Sequence, residues 1–336
     1  MIQLSIIIIN YKSSRLLLDC LKTVYAETSN THFEVIVVDN DSRDGGKELL
    51  LDAFPDLRWI EMDYNAGFAR ANNEGIRQSL GSTILLLNPD TLVEQHAIDR
   101  CYSAFAESTF VACGVQLLNS DRTPQISGNY FMVGGLNYLL PLPYLGNFLQ
   151  RIGRALHVRP PNVANAESVV EVDWINGAFL MAEKSAIEMA GLMDEDFFLY
   201  AEEAEWCYRL KKIGGLCLFG AIKVIHLQGE TANTIFGSTG KGYSNLYNRK
   251  GLQIMLSNFV RIRKQFGVGW FLFNLFVYTV DIPIFFIGAL LSQFLKKEKR
   301  FYSLRDVSLF CKNIVVIYGM SFPIISNKPR FYRVLV

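Results

Sequence analysis

The chain has 336 residues, 50% hydrophobic and 19% charged, which excludes a disordered tail and a disulfide-stapled miniprotein and suits two domains, or one large domain with an appendage. The net charge of +1 conceals a split, because residues 1–230 carry 18 Lys/Arg against 29 Asp/Glu while residues 231–336 carry 15 against 3. A basic, aromatic tail with long apolar runs points to an anionic membrane surface and away from nucleic acid. Cys20, Cys101, Cys113, Cys207, Cys217 and Cys311 form no C-x-x-C pair and read as reduced core thiols of a reducing compartment. Met1 to Asn10 is too short an apolar run for a secretion signal and lacks a basic start.

In chain order, Leu4 to Ile9 is a β-branched run stopping at Asn10, as a buried parallel strand does. Leu16 to Tyr25 repeats apolar residues at helical spacing, with Ser13 or Ser14 as N-cap. Phe33 to Val38 reads as a second strand ending at Asp39, Glu48 to Phe54 as a helix, Leu57 to Met62 as a strand, Phe68 to Ser79 as a helix and Thr83 to Leu87 as a fourth strand. This alternation predicts βαβ units in a doubly wound sheet, with a ligand beyond the strand ends where Asn10, Asp39 and Asn88 stand. Residues 119–170, rich in Pro, Gly and Tyr, read as an insertion or mobile loop. Val169 to Trp174 and Ala178 to Ala182 read as strands, Ala204 to Lys212 as an amphipathic helix, and Leu216 to His226 as a final strand.

Residues 270–295 carry one charge, Asp281, in 26 positions, long enough to cross a bilayer core. Asp281 and Pro283 near the centre weigh against a simple span, since a charge there costs at least ~2.5 kcal/mol. Arg261, Arg263 and Lys264 before the stretch, with Lys296, Lys297, Lys299 and Arg300 after it, suit a re-entrant hairpin or interfacial helix pair with both ends on the cytoplasmic face. A buried core helix has the same periodicity.

No glycine-rich G-x-G-x-x-G follows the first strand and no G-x-x-x-x-G-K occurs, so dinucleotide oxidoreductases and P-loop NTPases lose their main support. A nucleotidyltransferase would need a basic glycine-rich loop near the N-terminus, and none is present. A non-catalytic scaffold would tolerate loss of carboxylates that are kept at Asp39, Asp90 and Glu203. The strand ends are instead acidic and amide-rich, able to bind a base, a ribose or a divalent cation. Asn88 and Asp90 stand two apart in LLLNPDT, although Asn-Pro-Asp is also an ordinary turn sequence. His226 at a strand end suits a core residue or a ligand, and Glu202, Glu203 and Glu205 suit a solvated helix start or a catalytic base.

The ordered segments VIVVDNDSRDG, NAGFARANN, LLLNPDT, VDWINGAFLM and MDEDFFLYAEEAEWCYRLKKIGG, closed by Val224-Ile225-His226, resemble family 2 glycosyltransferases over about residues 3–265. The resemblance is strongest to rhamnosyltransferases and related enzymes of bacterial O-antigen, capsule and cell-wall polysaccharide assembly. It implies the GT-A fold, an α/β doubly wound mixed sheet flanked by helices, over residues 1–265. Within it, 1–118 would be the nucleotide half and 119–230 the acceptor half; 266–336 would form an apolar, basic helical tail that associates with membrane.

The resemblance also implies roles. Asn10, Tyr11 and Asp39 would hold the base and ribose; Asn65, Gly67 and Asn73 would close over the nucleotide, Gly67 letting backbone approach it. Asn88 and Gly177 would line the donor site. Asp90, with His226, would bind Mg²⁺ or Mn²⁺, Asn88 replacing the first acid of the family's D-x-D. Glu203, or Glu202 beside it, would be the general base in an inverting displacement. The donor would be a nucleotide-diphosphate sugar, dTDP-rhamnose among the candidates, and the acceptor a lipid-linked saccharide at the cytoplasmic face of the cell membrane.

Overall fold

Unbroken apolar runs bounded by polar strand ends become central strands here, because parallel strands covered on both faces leave no position for a polar side chain. The computed structural model describes residues 1–227, 245–295 and 302–334; Lys241, Lys296, Lys297, Lys299 and Arg300 of the basic flanks lie outside the described residues. β1 (Leu4–Asn10) and β4 (Thr83–Leu87) are buried at every position, and β2 (Phe33–Asp39) at its last five. β3 (Arg58–Glu61), α1 (Ser14–Glu27), α2 (Gly46–Ala53) and α3 (Gly67–Gln78) complete the βαβ units that the alternation predicted.

β5 (Thr91–Val93), α4 (Ala97–Ala106) and β6 (Ala112–Leu118) follow, then the short β7 (Gly128–Asn129), a 3₁₀ segment (Val133–Leu139), α5 (Leu145–Ala155) and β8 (Asn162–Val163). β9 (Val169–Val172), β10 (Trp174–Ile175), β11 (Phe179–Glu183), α6 (Lys184–Ala190), α7 (Glu202–Leu210) and β12 (Leu216–His226) close the sheet region. The main sheet runs β3-β2-β1-β4-β11-β6-β12-β5, with β9 also paired to β12. β1 is parallel to β2 and β4, whereas β11 is antiparallel to β4 and β6, so the sheet is mixed. The order turns back at β1, with β2 on one side and β4 on the other, the place where an open α/β sheet forms its ligand crevice.

α8 (Arg249–Phe266), α9 (Val268–Leu295) and α10 (Leu304–Ile325) end the described chain. A hairpin folded within 270–295 is not what forms: α9 continues through Pro283, and its partner is α10, which the sequence reading placed within the helical tail without bounds of its own. Both helices are long and apolar enough to cross a membrane, and only 33% and 28% of their apolar windows are buried.

Contacts group the chain into two units. The first holds Met1–Tyr130, Asn162–Phe198 and the chain from Glu202 through β12; its core packs α1 and α4 on the sheet through Leu17, Leu21, Val24, Ile98 and Phe105. The second holds Phe131–Pro161, Leu199–Ala201 and α8 to α10, so part of the stretch expected as a loop is structured together with the C-terminal helices. Counted along the sequence with the division after residue 231, the first carries 15 Lys/Arg against 29 Asp/Glu and the second 18 against 3.

Candidate active site

The ends of β1 and β2 are tied by one amide. Asn10, fully buried, donates from Nδ2 to Asp39 Oδ1 at 2.7 Å and to the hydroxyls of Ser14 and Ser42, while its Oδ1 accepts from Ser13 N and Oγ. Asp39 Oδ2 accepts from Ser42 N at 3.0 Å, so Asn10 orients Asp39 from beneath. Tyr11 is half-buried beside it, with the Lys12 ammonium 5.3 Å from its ring centre.

Asn40, which the sequence reading passed over, is the hub of the next turn. Its Nδ2 donates to Asn65 Oδ1 and Gly67 O, and its Oδ1 accepts from Ala66 N at 2.7 Å. Gly67 has φ +75°, and a Cβ there would stand 2.2 Å from Phe198 O. The close approach that requires a glycine is therefore to the protein's own backbone, where Phe68 N donates to Phe198 O. Asn73 is likewise occupied: fully buried, it donates to Met193 O and Glu195 Oε1 and accepts from Met193 N, fastening α3 to the 193–195 turn.

After β4 the chain makes the Asn88–Thr91 turn. Asn88 O accepts from Thr91 N and Oγ1, and Cys20 Sγ lies 3.7 Å below it. Burial, together with the charge of Asp90, pushes the Cys20 thiol up to about 12, so it stays a neutral support. The turn places the buried Asp90 Oδ1 3.3 Å from Nε2 of the buried His226, and Asn88 Nδ2 is also 3.3 Å from that nitrogen.

Gln125, not foreseen from the sequence, sits behind the histidine. Its Nε2 donates to His226 O at 2.6 Å and to Asn119 Oδ1 and Leu118 O, which leaves Oε1 to accept from His226 Nδ1 at 3.0 Å. In the neutral ring this fixes the tautomer and leaves the Nε2 lone pair facing Asp90 and Asn88.

Left-handed backbone at Tyr200 (φ +74°) and Ala201 (φ +66°) leads into α7. Two successive non-glycine residues there store roughly 1–3 kcal/mol each, a strain that collects at functional sites. Glu205 is committed to Arg209, which grips both its oxygens and also donates to the carbonyls of Ala190, Gly191 and Leu192. Of the two remaining acids, Glu202 is 2% exposed and Glu203 half-buried. Gly177 is bare backbone beside Glu203: a Cβ there would lie 3.6 Å from Glu203 Cγ and 3.5 Å from the Phe68 ring.

Among the described residues no three His, Cys, Asp or Glu side chains gather as a metal cluster. A site for one divalent cation needs fewer when a diphosphate supplies oxygens, and Asp90 with His226 fits that need. A carboxylate oxygen and an imidazole lone pair face each other at a separation suited to a shared cation, with Gln125 holding the ring from behind.

A mannosyltransferase from Pyrobaculum calidifontis, solved with GDP-Man and Mn²⁺, superposes with a TM-score of 0.54 at 15% identity, covering 96% of this chain and 84% of that one. The mixed sheet with its carboxylate-bearing strand ends thus has the GT-A architecture. The profile described as Glycosyl transferase family 2 matches residues 5–163. A low-salt glycan biosynthesis hexosyltransferase of Haloferax volcanii is 29% identical over 258 residues, 73% of this chain and 74% of that protein. An N-acetylglucosaminyl-diphospho-decaprenol L-rhamnosyltransferase of Mycobacterium tuberculosis is 25% identical over 209 residues, 57% of this chain and 66% of that protein. Together these matches support a family 2 glycosyltransferase.

Proposed function

We propose that this enzyme moves a hexosyl group, with inversion, from a nucleotide-diphosphate donor to a hydroxyl of a lipid-linked saccharide during cell-surface polysaccharide assembly, working at the cytoplasmic face of the membrane. The observation that carries the reading is the buried Asp90–His226 pair, backed by Gln125, beyond the end of β4. The tuberculosis relative is named for an N-acetylglucosaminyl-diphospho-decaprenol acceptor, which supports a lipid-linked acceptor, and a Shigella flexneri relative is named a dTDP-rhamnosyl transferase, which puts dTDP-rhamnose first among donors to try.

In this reading Asp39, oriented by Asn10, accepts hydrogen bonds from the base or ribose, and Tyr11 borders the base. Asp90 and His226 are the residues that would hold a divalent cation, which when bound would supply charge neutralisation for a departing diphosphate. Asn88 Nδ2, 3.3 Å from His226 Nε2, supplies an amide donor for an oxygen of the nucleotide sugar. Glu203 receives the acceptor hydroxyl's proton; its partial exposure suits a group that must meet substrate, and Gly177 leaves room beside it. Glu202, fully covered, supports the helix start.

The test is a donor screen on the full chain with Mn²⁺ or Mg²⁺ and a polyprenyl-diphosphate saccharide, measuring released nucleoside diphosphate and the extended lipid. We expect turnover that EDTA abolishes, a fall of roughly 10²–10³-fold in Asp90→Asn, and donor binding without transfer in Glu203→Gln. Full turnover in EDTA would sink the metal assignment, and loss of transfer in Glu202→Gln but not Glu203→Gln would exchange the two acids.

A further inference from the structure

α9 has its polarity reversed. Its outer face shows Leu272, Phe273, Phe276, Val280, Ile287 and Leu291, all exposed and all apolar, while its covered face holds Asn274, Asp281 and Ser292. Asp281 is fully buried halfway along, and among the described residues neither carboxylate oxygen has a hydrogen-bond partner. The covered face also holds Phe271, Leu275, Tyr278, Phe285 and Ala289, but a helix that keeps its polar groups inside and a row of large apolar groups outside is built for a hydrocarbon surround.

Crossing the bilayer fits the second unit poorly. The irregular backbone of Val133–Tyr144 follows α9 for most of its length: Gly134 O accepts from Asn274 Nδ2 at 2.8 Å, Tyr138 O from the Tyr278 hydroxyl at 2.8 Å, and Tyr144 Oη donates to Ser292 Oγ at 3.1 Å. Non-helical backbone at membrane depth is tolerated only where protein or water covers it, yet Val133 in this segment is exposed. Basic residues also stand at both ends of the pair: Arg261, Arg263 and Lys264 before α9 share one end with Lys328, Arg330 and Arg333 after α10, where Arg263 Nε donates to Ile325 O, and Arg305 in the first turn of α10 stands at the other. Within α10, Arg305 and Lys312 are exposed.

α5 supplies the third observation. Leu145, Phe148, Leu149, Ile152 and Leu156 recur at i, i+3, i+4, i+7 and i+11 and so share one arc of the helix and its cap, with Asn147, Gln150 and Arg154 opposite. The arc is uncovered: Phe148 is 59%, Ile152 40% and Leu156 70% exposed, and Gly146 is the one buried residue of α5. No acidic residue occurs from Arg122 to Ala166, while Arg151, Arg154, His157 and Arg159 do. An apolar arc beside a polar one whose only charges are basic matches the boundary of an anionic leaflet. Tyr144, next to α5, anchors it on α9, its ring 2.6 Å from where a Cβ on Gly288 would be.

We infer that α5, α9 and α10 form one monotopic surface that lies in the cytoplasmic leaflet and does not cross the bilayer. This rests on the membrane placement proposed above and specifies how it is made. The partner is an anionic phospholipid monolayer, met by apolar faces on three helices and the arginines of α5.

The test uses the full chain in a Cys311→Ala background, since the other cysteines are buried. Single cysteines are placed at Gly269, where a Cβ meets nothing within 4 Å, and at the exposed Leu304, which lie at opposite ends of α9 and its connection to α10. A membrane-impermeant maleimide should label neither in intact cells and both in inverted vesicles; labelling of Leu304→Cys from outside would establish a span and overturn the inference.

In phosphatidylcholine–phosphatidylglycerol vesicles, an environment-sensitive dye on Phe148→Cys should lose most of its emission to nitroxide-bearing lipid, while one on Gln150→Cys should not. Equal emission at the two positions, or shielding at 148 without lipid quenching, would overturn the role of α5. A chain that fails to float with vesicles at all would instead reject the membrane placement itself.

Discussion

Gln125 carries no motif of its own, yet it decides what His226 can offer. With Oε1 against Nδ1 and Nε2 spent on three backbone or side-chain oxygens, it holds one tautomer and one ring orientation. Gln125→Leu should weaken Mn²⁺ binding by roughly 10–100-fold, read from free Mn²⁺ by electron paramagnetic resonance, and Gln125→Glu, which keeps an acceptor at Nδ1, should restore most of it; equal affinity in the leucine variant would make Gln125 a packing residue only. The sequence made Asn10, Asp39, Asn88, Asp90 and His226 readable because each ends or follows an apolar strand run, and strand ends share a rim by topology. Gln125 sits in a stretch with no periodicity to place it. Asn73 and Gly67 lie in a helix whose contacts are with Met193 to Phe198, over a hundred positions away, so a local motif could not reveal that their bonds and space were taken.

Elements with one unambiguous period were predictable, and those fenced by proline were not. α5 spans 11 residues between Pro143 and Pro160, and its apolar arc is easily missed in a segment dominated by Pro, Gly and Tyr. α10 did announce itself: Ser303 and Asp306 form a capping box, each side chain meeting the other's backbone N–H. α4 contributes a fastening with a measurable pH signature. Asp99 on α4 takes hydrogen bonds from the backbone N–H groups of Ser29, Asn30 and Thr31, pinning the link between α1 and β2. Burial pulls its pKa up, but those bonds outweigh burial and hold it below the ordinary carboxylate value. The stabilisation is therefore present above the unfolded pKa of about 3.9 and lost as pH falls through the folded value. Asp99→Asn should cost on the order of 2 kcal/mol at neutral pH, with the gap to wild type in urea melts closing below about pH 4; a gap that stays constant down to acid would mean the carboxylate charge contributes nothing.

At the scale of the whole molecule, charge and contact divide the chain in nearly the same way. The acidic unit holds 29 Asp/Glu, and Phe131–Pro161, which interrupts it in sequence, contributes arginines and no acid to the basic unit. Composition along the chain showed the split but could not show that the interruption belongs to the other side, because that assignment depends on contacts such as Gly134 with Trp270 and Tyr138 with Tyr278. A chain cut near Gly267 should accordingly be insoluble or poorly folded, since the buried Leu139 and Leu142 belong to the unit that loses α9 and α10. A soluble truncation with a cooperative melt like that of the full chain would refute this.

The same interruption sets a schedule for synthesis. When Pro161 has been made, α9, which Phe131–Pro161 packs along, is still more than a hundred codons away. At about 5–20 residues per second the segment waits of order ten seconds with Phe148 and Leu156 uncovered. The sheet can close around β12 during that interval, but the basic unit completes only when α9 and α10 arrive. The ribosome thus delivers the acidic unit first and completes the basic unit last, and on the proposed membrane placement the amphipathic α5 can reach the bilayer before the helices it will share it with.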